Sequence, residues 1–309
     1  MTFVAMRLFP KFKTGRGCPV KTKHITEAVM HAVFFSCGML AIAFVALITL
    51  YIVTAGLPAI GEIGLKEFLL GAEWKSTAAE PKFGILPFIL TSFWGTLGAV
   101  IIGVPVGVLT AVFLSKVAGP RLAGVVRPAV ELLAGIPSVV YGLVGMMVLV
   151  PLMMEVFRLK NGTCLLAAIL VLTVMVLPSI INVAETALQA VPREYEEASL
   201  ALGATETETY FRVSLPAARS GVAAAVVLGV GRAIGEAMAI IMVAGNVANM
   251  PGLFTSVRFL TTGIISGMSD AAVGSLYQQA LFSIGLVLFL FIMLINVLLN
   301  VCIKRKKEG

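Results

Sequence analysis

An arginine and a glutamate, Arg232 and Glu236, stand four residues apart inside an otherwise apolar run from about 221 to 247. On a helix that spacing puts both on one face. A charge at the centre of a membrane helix costs about 2.5 to 3.5 kcal/mol on insertion scales, so such residues mark a substrate path by default. The guanidinium is a planar fork that grips a tetrahedral oxyanion at two points, and a partly dehydrated pocket strengthens the grip. A carboxylate beside it would accept a hydrogen bond from a protonated oxyanion and repel a fully ionised one. The competing reading is a structural pair, in which Glu236 neutralises Arg232 and neither meets a ligand. Three weaker candidates join them. Glu131 stands near the inner end of a third apolar run, where a snorkelling surface carboxylate is an equal reading, and Asn182 would equally bond a neighbouring helix. Ser138 follows Gly135-Ile-Pro, where a proline break would offer backbone N–H groups and a hydroxyl to an anion, though helix packing alone explains the segment equally well.

Other chemistries find no footing. Cys18, Cys37, Cys164 and Cys302 lack metal-ligand spacing and read as small packing residues. Lys21-Thr22 lacks the glycine that precedes a phosphate-binding lysine, and Gly229-x-Gly231 has no third glycine at dinucleotide spacing. The sequence therefore predicts no catalytic residue, no metal and no cofactor in this chain.

The elements that position these residues follow from composition. Of 309 residues, 59% are apolar and only 13% charged, with a mean hydropathy of +1.01; soluble domains carry about 25% charge. Apolar runs at about 28–55, 86–115, 129–154, 163–187, 221–247 and 279–303 reach or exceed the roughly 20 residues that cross a bilayer. An all-α polytopic membrane protein with six transmembrane helices is expected. The first run is too long for the roughly 7 to 15 apolar residues of a cleaved signal, despite small residues at Val53 and Ala55. Of the 23 Lys and Arg, sixteen fall in segments on the N-terminal side of the membrane, six in the opposite segments, and the last is Arg232. Positive charge is retained inside, so both termini are cytoplasmic. The same distribution argues against nucleic acid despite a net charge of +7. The resulting division is a basic tail 1–27, a first helix 28–56, an outer loop 57–85, a core 86–303 of five helices with a cytoplasmic loop 188–220, and a basic tail 304–309. Pro105, Pro137 and Pro178 are expected to kink or interrupt their helices, and Gly221, Ala225, Gly229, Ala233 and Ala237 form a small-residue stripe for close packing.

The cytoplasmic loop carries helix punctuation. Pro192 suits a helix start and Gly203 a helix end, and Thr205 with Glu208 matches a capping box. Such a hairpin reads equally as a solvated connector until its residues are compared. Glu197-Ala198-Ser199, three residues, Gly203, nine residues, Val213, one residue and Leu215-Pro216 closely resemble the EAA loop of permease subunits in bacterial ATP-binding-cassette (ABC) importers, with Ser199 and Val213 as mild departures. The resemblance implies the type I ABC importer permease fold in the inner membrane, and a loop helix docked in a groove of an ATPase subunit with Tyr195, Ala198 and Leu202 as apolar anchors. Glu131-Leu-Leu-Ala-Gly-Ile-Pro-Ser-Val-Val-Tyr-Gly142 and Gly231-Arg-Ala-Ile-Gly-Glu-Ala-Met-Ala239 resemble the phosphate-importer permeases, the PstC subunit more than its partner PstA. Ala237 departs from the Thr common there. The resemblance covers about 28–303, including Phe83-Gly-Ile-Leu-Pro87. It implies two copies of an ATPase that binds ATP, a second permease subunit resembling PstA, an external phosphate-binding protein and membrane lipid as partners. A gradient-driven carrier would also use a mid-membrane Arg and Glu but has no need of a docking helix; a non-transporting sensor would keep the helix and carry no flux.

Overall fold

The computed structural model describes residues 20–305 apart from Thr77 and Ala79. Arg7, Lys11, Lys13, Arg16, Cys18, Lys306 and Lys307 of the two tails lie outside the described residues. The architecture is all-α, with one short hairpin. In chain order the helices are α1 (Val20–Ile63), α2 (Leu65–Leu70), α3 (Leu86–Val112), α4 (Pro120–Gly135), α5 (Ser138–Val144), α6 (Val150–Phe157), α7 (Leu165–Gln189), α8 (Arg193–Ala201), α9 (Glu206–Thr209), α10 (Leu215–Ala217), α11 (Arg219–Gly235), α12 (Met238–Val243), α13 (Leu260–Met268) and α14 (Leu276–Arg305). π-helical turns at Phe113–Val117, Gly145–Leu149 and Tyr210–Ser214 continue α3, join α5 to α6 and join α9 to α10. In the outer loop, β1 (Trp74–Lys75) pairs antiparallel with β2 (Lys82–Phe83).

The chain divides between Tyr51 and Ile52 into two units. Within the described residues the first is a single stretch of α1, without an Asp, Glu, Lys or Arg after Glu27. The second is built around α7. Ala167, Ala168, Leu172, Met175, Val176, Ile180 and Ala184 of that helix are all buried. Two glycine-bearing helices press on it from different sides. A Cβ added at Gly107 of α3 would lie 2.8 Å from Ile180, and one added at Gly229 of α11 would also lie 2.8 Å from Ile180. Close approach of this kind gives apolar helices their contact area where lipid removes the hydrophobic driving force. At the outer end Trp74 meets Phe83 edge to face with ring centroids 5.3 Å apart, and tilts on Phe88 at the same distance.

Five helical stretches are long and apolar enough to cross a membrane: Val29–Ile63, Leu86–Val117, Ser138–Phe157, Leu165–Gln189 and Leu276–Leu299. α11 passes the same test only together with the preceding segment Glu206–Ala217, from which it is bent by 73°; counted as one broken span, the pair brings the number to six. Two expected runs are corrected. The run at 129–154 is not one span, because α4 stops at Gly135 and Ile136 is extended (φ −69°, ψ 128°) before Pro137, as the clash with a following proline ring requires. The run at 221–247 breaks after Gly235, which takes Ala237 off the small-residue stripe. Pro105 and Pro178, by contrast, sit inside continuous helices.

Gly229→Leu is expected to destabilise the folded protein by about 1 to 3 kcal/mol through overpacking against Ile180. Gly124→Leu, where a Cβ would meet nothing within 4 Å, is expected to leave the melting temperature in detergent unchanged, which makes it the control.

Candidate functional site

Glu236 is where α11 ends. Its backbone is extended (φ −74°, ψ 135°), its carbonyl accepts the Thr261 hydroxyl at 2.8 Å, and its carboxylate Oε1 accepts the Ala239 N–H at 3.0 Å in the first turn of α12. A carboxylate is well placed there, because the first N–H groups of a helix lack partners and carry positive partial charge. One turn earlier, Arg232 donates from Nη1 to Ser179 Oγ on α7 at 3.0 Å. Among the described residues Arg232 forms no ion pair with Glu236. The expectation of one shared helical face is therefore corrected: the two groups flank a break, one anchored to α7 and the other to α12 and α13.

Both are half-buried. A Cβ added at Gly231, Gly235 or, across the α4–α5 break, Gly135 would meet nothing within 4 Å. The Arg232 guanidinium carries five N–H donors and, among the described residues, serves one neutral acceptor. Asn182, half-buried, lies one turn inward from Ser179 on α7; its carbonyl accepts the Thr186 hydroxyl at 2.8 Å. Ser138 is half-buried and opens α5, with Pro137 extended before it (φ −58°, ψ 140°). Glu131 stands elsewhere. It is exposed on α4, a separate helix and not the inner end of the third span. Ser179 and Thr261 escaped the sequence reading; the only signal for Ser179 was a hydroxyl next to Pro178 in an apolar run.

The cytoplasmic hairpin is punctuated as its residues require. Leu202 follows α8, and Gly203 adopts the left-handed region at φ +86°. Gly203 N–H bonds Leu200 O at 2.9 Å and Ala204 N–H bonds Ser199 O at 3.3 Å, the double closure of a Schellman motif. Thr205 and Glu208 form the reciprocal capping box that opens α9. Glu197 and Ala198 are exposed, as are Tyr195 and Leu202, the last at 90%. Leu215 is half-buried and Pro216 exposed at the start of α10.

What mounts the hairpin on the membrane helices is a set of residues that spacing did not reveal. Glu196 Oε1 takes Lys116 Nζ at 2.5 Å and the Ser214 hydroxyl at 2.8 Å. Burial pushes its carboxyl up, but the bonds from Lys116 and Ser214, with the charges of Lys116 and Arg193, outweigh burial and hold it below the ordinary carboxylate value. A separate tie joins α4 to α7 and to the turn after α3: buried Glu185 of α7 accepts Arg127 Nε at 2.6 Å and Gln189 Nε2 at 2.9 Å, while Arg127 also reaches Leu114 O at 3.2 Å. In the sequence Lys116 and Arg127 counted only as topology charges, and Glu196 was masked by its neighbour Glu197.

The profile of a family described as "Binding-protein-dependent transport system inner membrane component" matches residues 103–307. The "Probable ABC transporter permease protein YqgH" of Bacillus subtilis is 39% identical over 285 residues, 90% of this chain and 92% of that protein. The "Phosphate transport system permease protein PstC" of Mesorhizobium japonicum is 30% identical over 306 residues, 93% of this chain and 92% of that one; its namesake in Pasteurella multocida is 33% identical over 264 residues, covering 78% and 81%. Among solved structures, an inward-facing form of the MetNI methionine ABC transporter aligns with a TM-score of 0.54 at 24% identity, covering 72% of this chain and 94% of that chain. This last likeness concerns the fold.

Lys116→Met, which strands the Glu196 carboxylate, is expected to loosen the hairpin and speed trypsin cleavage at Arg193 or Arg212 in membranes; each ~1 kcal/mol lost raises the open population about fivefold. The exchange Lys116→Glu with Glu196→Lys should restore resistance. Because the Glu196 carboxyl is lowered in the folded state, its stabilisation is full at neutral pH and is lost as pH falls through that lowered value, so amide hydrogen exchange in the hairpin should lose protection in acid.

Proposed function

This chain belongs to the binding-protein-dependent transport system inner membrane components, a permease subunit of an ABC importer with no ATPase site of its own, and from that premise we propose that it conducts inorganic phosphate. Residence in the inner membrane and partnership with an ATPase and an external binding protein come with the family. In the proposed complex the binding protein carries phosphate, the second permease subunit is PstA-like, and two ATPase copies bind the ATP.

One observation carries the substrate reading: Arg232, half-buried, is held by a neutral hydroxyl and not by a carboxylate. Its unused N–H donors suit the oxygens of a tetrahedral anion. Ser179 aims the guanidinium, and Glu236, still an acceptor on its second oxygen, supplies the test for a protonated anion. Near neutral pH phosphate carries a proton and sulfate does not, so a carboxylate on the path welcomes the first and repels the second. Ser138 and Asn182 are proposed as polar steps of the same path, while Glu131, exposed on α4, is the least supported. The name shared by the PstC relatives agrees with this choice.

Energy coupling is assigned to the hairpin. Glu197, Ala198, Gly203, Leu215 and Pro216 match the docking motif residue for residue, and an exposed Leu202 beside Tyr195 is apolar surface for a partner's groove.

Two outcomes test the proposal in vesicles holding the whole complex. Arg232→Lys should lower phosphate uptake about tenfold, the equivalent of one charge-assisted hydrogen bond of roughly 1.5 kcal/mol. Glu236→Gln keeps an acceptor for Ala239, so it should fold, carry less phosphate and admit labelled sulfate in a variant freed of binding-protein control. Normal rate and selectivity in both variants would move the path elsewhere. Gly203→Val forces a branched side chain to φ +86°, a penalty of about 1 to 2 kcal/mol, and should lower uptake per ATP hydrolysed without preventing insertion.

A further inference from the structure

A groove of about 750 Å³ runs along the cytoplasmic half of the helices. Its walls are Val104 and Val108 of α3, Val222 and Val226 of α11 and Leu299 of α14; Arg219 and Ser220 stand at one end. At the depth of α11's first turns this surface faces the inner leaflet. Its lining is apolar apart from Arg219 and Ser220, which suits an occupant with an apolar body and a polar end. The cation at its end decides which. Among the described residues the Arg219 side chain makes no hydrogen bond or ion pair, and it is exposed. A lipid of the inner leaflet satisfies both ends at once, since basic residues between membrane helices on the cytoplasmic side attract anionic headgroups.

We propose that this groove holds an anionic glycerophospholipid, one acyl chain lying between α3, α11 and α14 and the headgroup phosphate on Arg219 and the Ser220 hydroxyl. The site has a consequence for coupling, because Leu215 and Pro216, the end of the docking hairpin, line it too. The lipid packs behind the 73° bend between the hairpin and α11. An occupied groove braces that bend; an empty one leaves it unsupported.

The test uses the assembled importer complex purified in mild detergent and analysed by native mass spectrometry after incubation with phosphatidylglycerol. Wild type should retain the lipid. Arg219→Gln, a surface change, should lower retention about fivefold, which is the roughly 1 kcal/mol that one basic residue contributes at an anionic surface. Val226→Trp, which fills the groove, should lower it as well. In vesicles of phosphatidylcholine, adding phosphatidylglycerol should raise uptake per ATP in wild type and not in Arg219→Gln. Equal retention by wild type and Arg219→Gln would overturn the proposal. So would a photo-crosslinker at Val226 that captures another polypeptide in place of lipid.

Discussion

Hydrocarbon offers no partner to a backbone N–H or C=O, so every place where this chain leaves the helix inside the membrane has to be closed by a side chain or by another strand of backbone. The break after Gly235 shows how far that constraint reaches. Glu236 turns its carboxylate onto the start of α12, and Thr261 turns its hydroxyl onto the Glu236 carbonyl. The break at Pro137 is bridged in the same manner, with the Tyr141 hydroxyl donating to Leu133 O at 2.6 Å across α4 and α5. At Glu236 one carboxylate oxygen and the backbone carbonyl hold the break together, while the second carboxylate oxygen makes no hydrogen bond among the described residues.

The two sites are joined by a single helix. α11 starts at the hairpin bend and ends at Glu236, so its 17 residues span about 25 Å at 1.5 Å per residue. The hairpin is itself fixed to α3 through Lys116 and Glu196, and both groups that hold Glu196, Lys116 and Ser214, stand in π-helical turns. A π turn displaces the side chains that follow it from regular helical register, and such turns concentrate at working sites.

The fold was legible in the sequence wherever a signal is local. Apolar length marked the spans, the Lys and Arg asymmetry oriented them, and Gly203 and the Thr205–Glu208 pair marked the turns of the hairpin to the residue. The breaks were not legible to the same degree, because Pro105, Pro137 and Pro178 look alike on paper, yet of the three only Pro137 follows a residue with an extended backbone, Ile136. The pairing of Arg232 with Ser179 and of Glu196 with Lys116 joins residues 53 and 80 positions apart, and a single sequence carries no record of such contacts. Glu131 was misplaced for a related reason: its apolar neighbours are shared by an amphipathic surface helix and a span, and the break that separates the two comes four residues later.

Ile180 sits between two glycines, Gly107 and Gly229, that already have the smallest side chains available. Growth at position 180 cannot be relieved by shrinkage at either neighbour, while loss of volume there opens a gap that either glycine can fill by becoming alanine. Sequence drift at this crossing is therefore one-way: volume can pass from the isoleucine to its flanks, and the reverse exchange is closed.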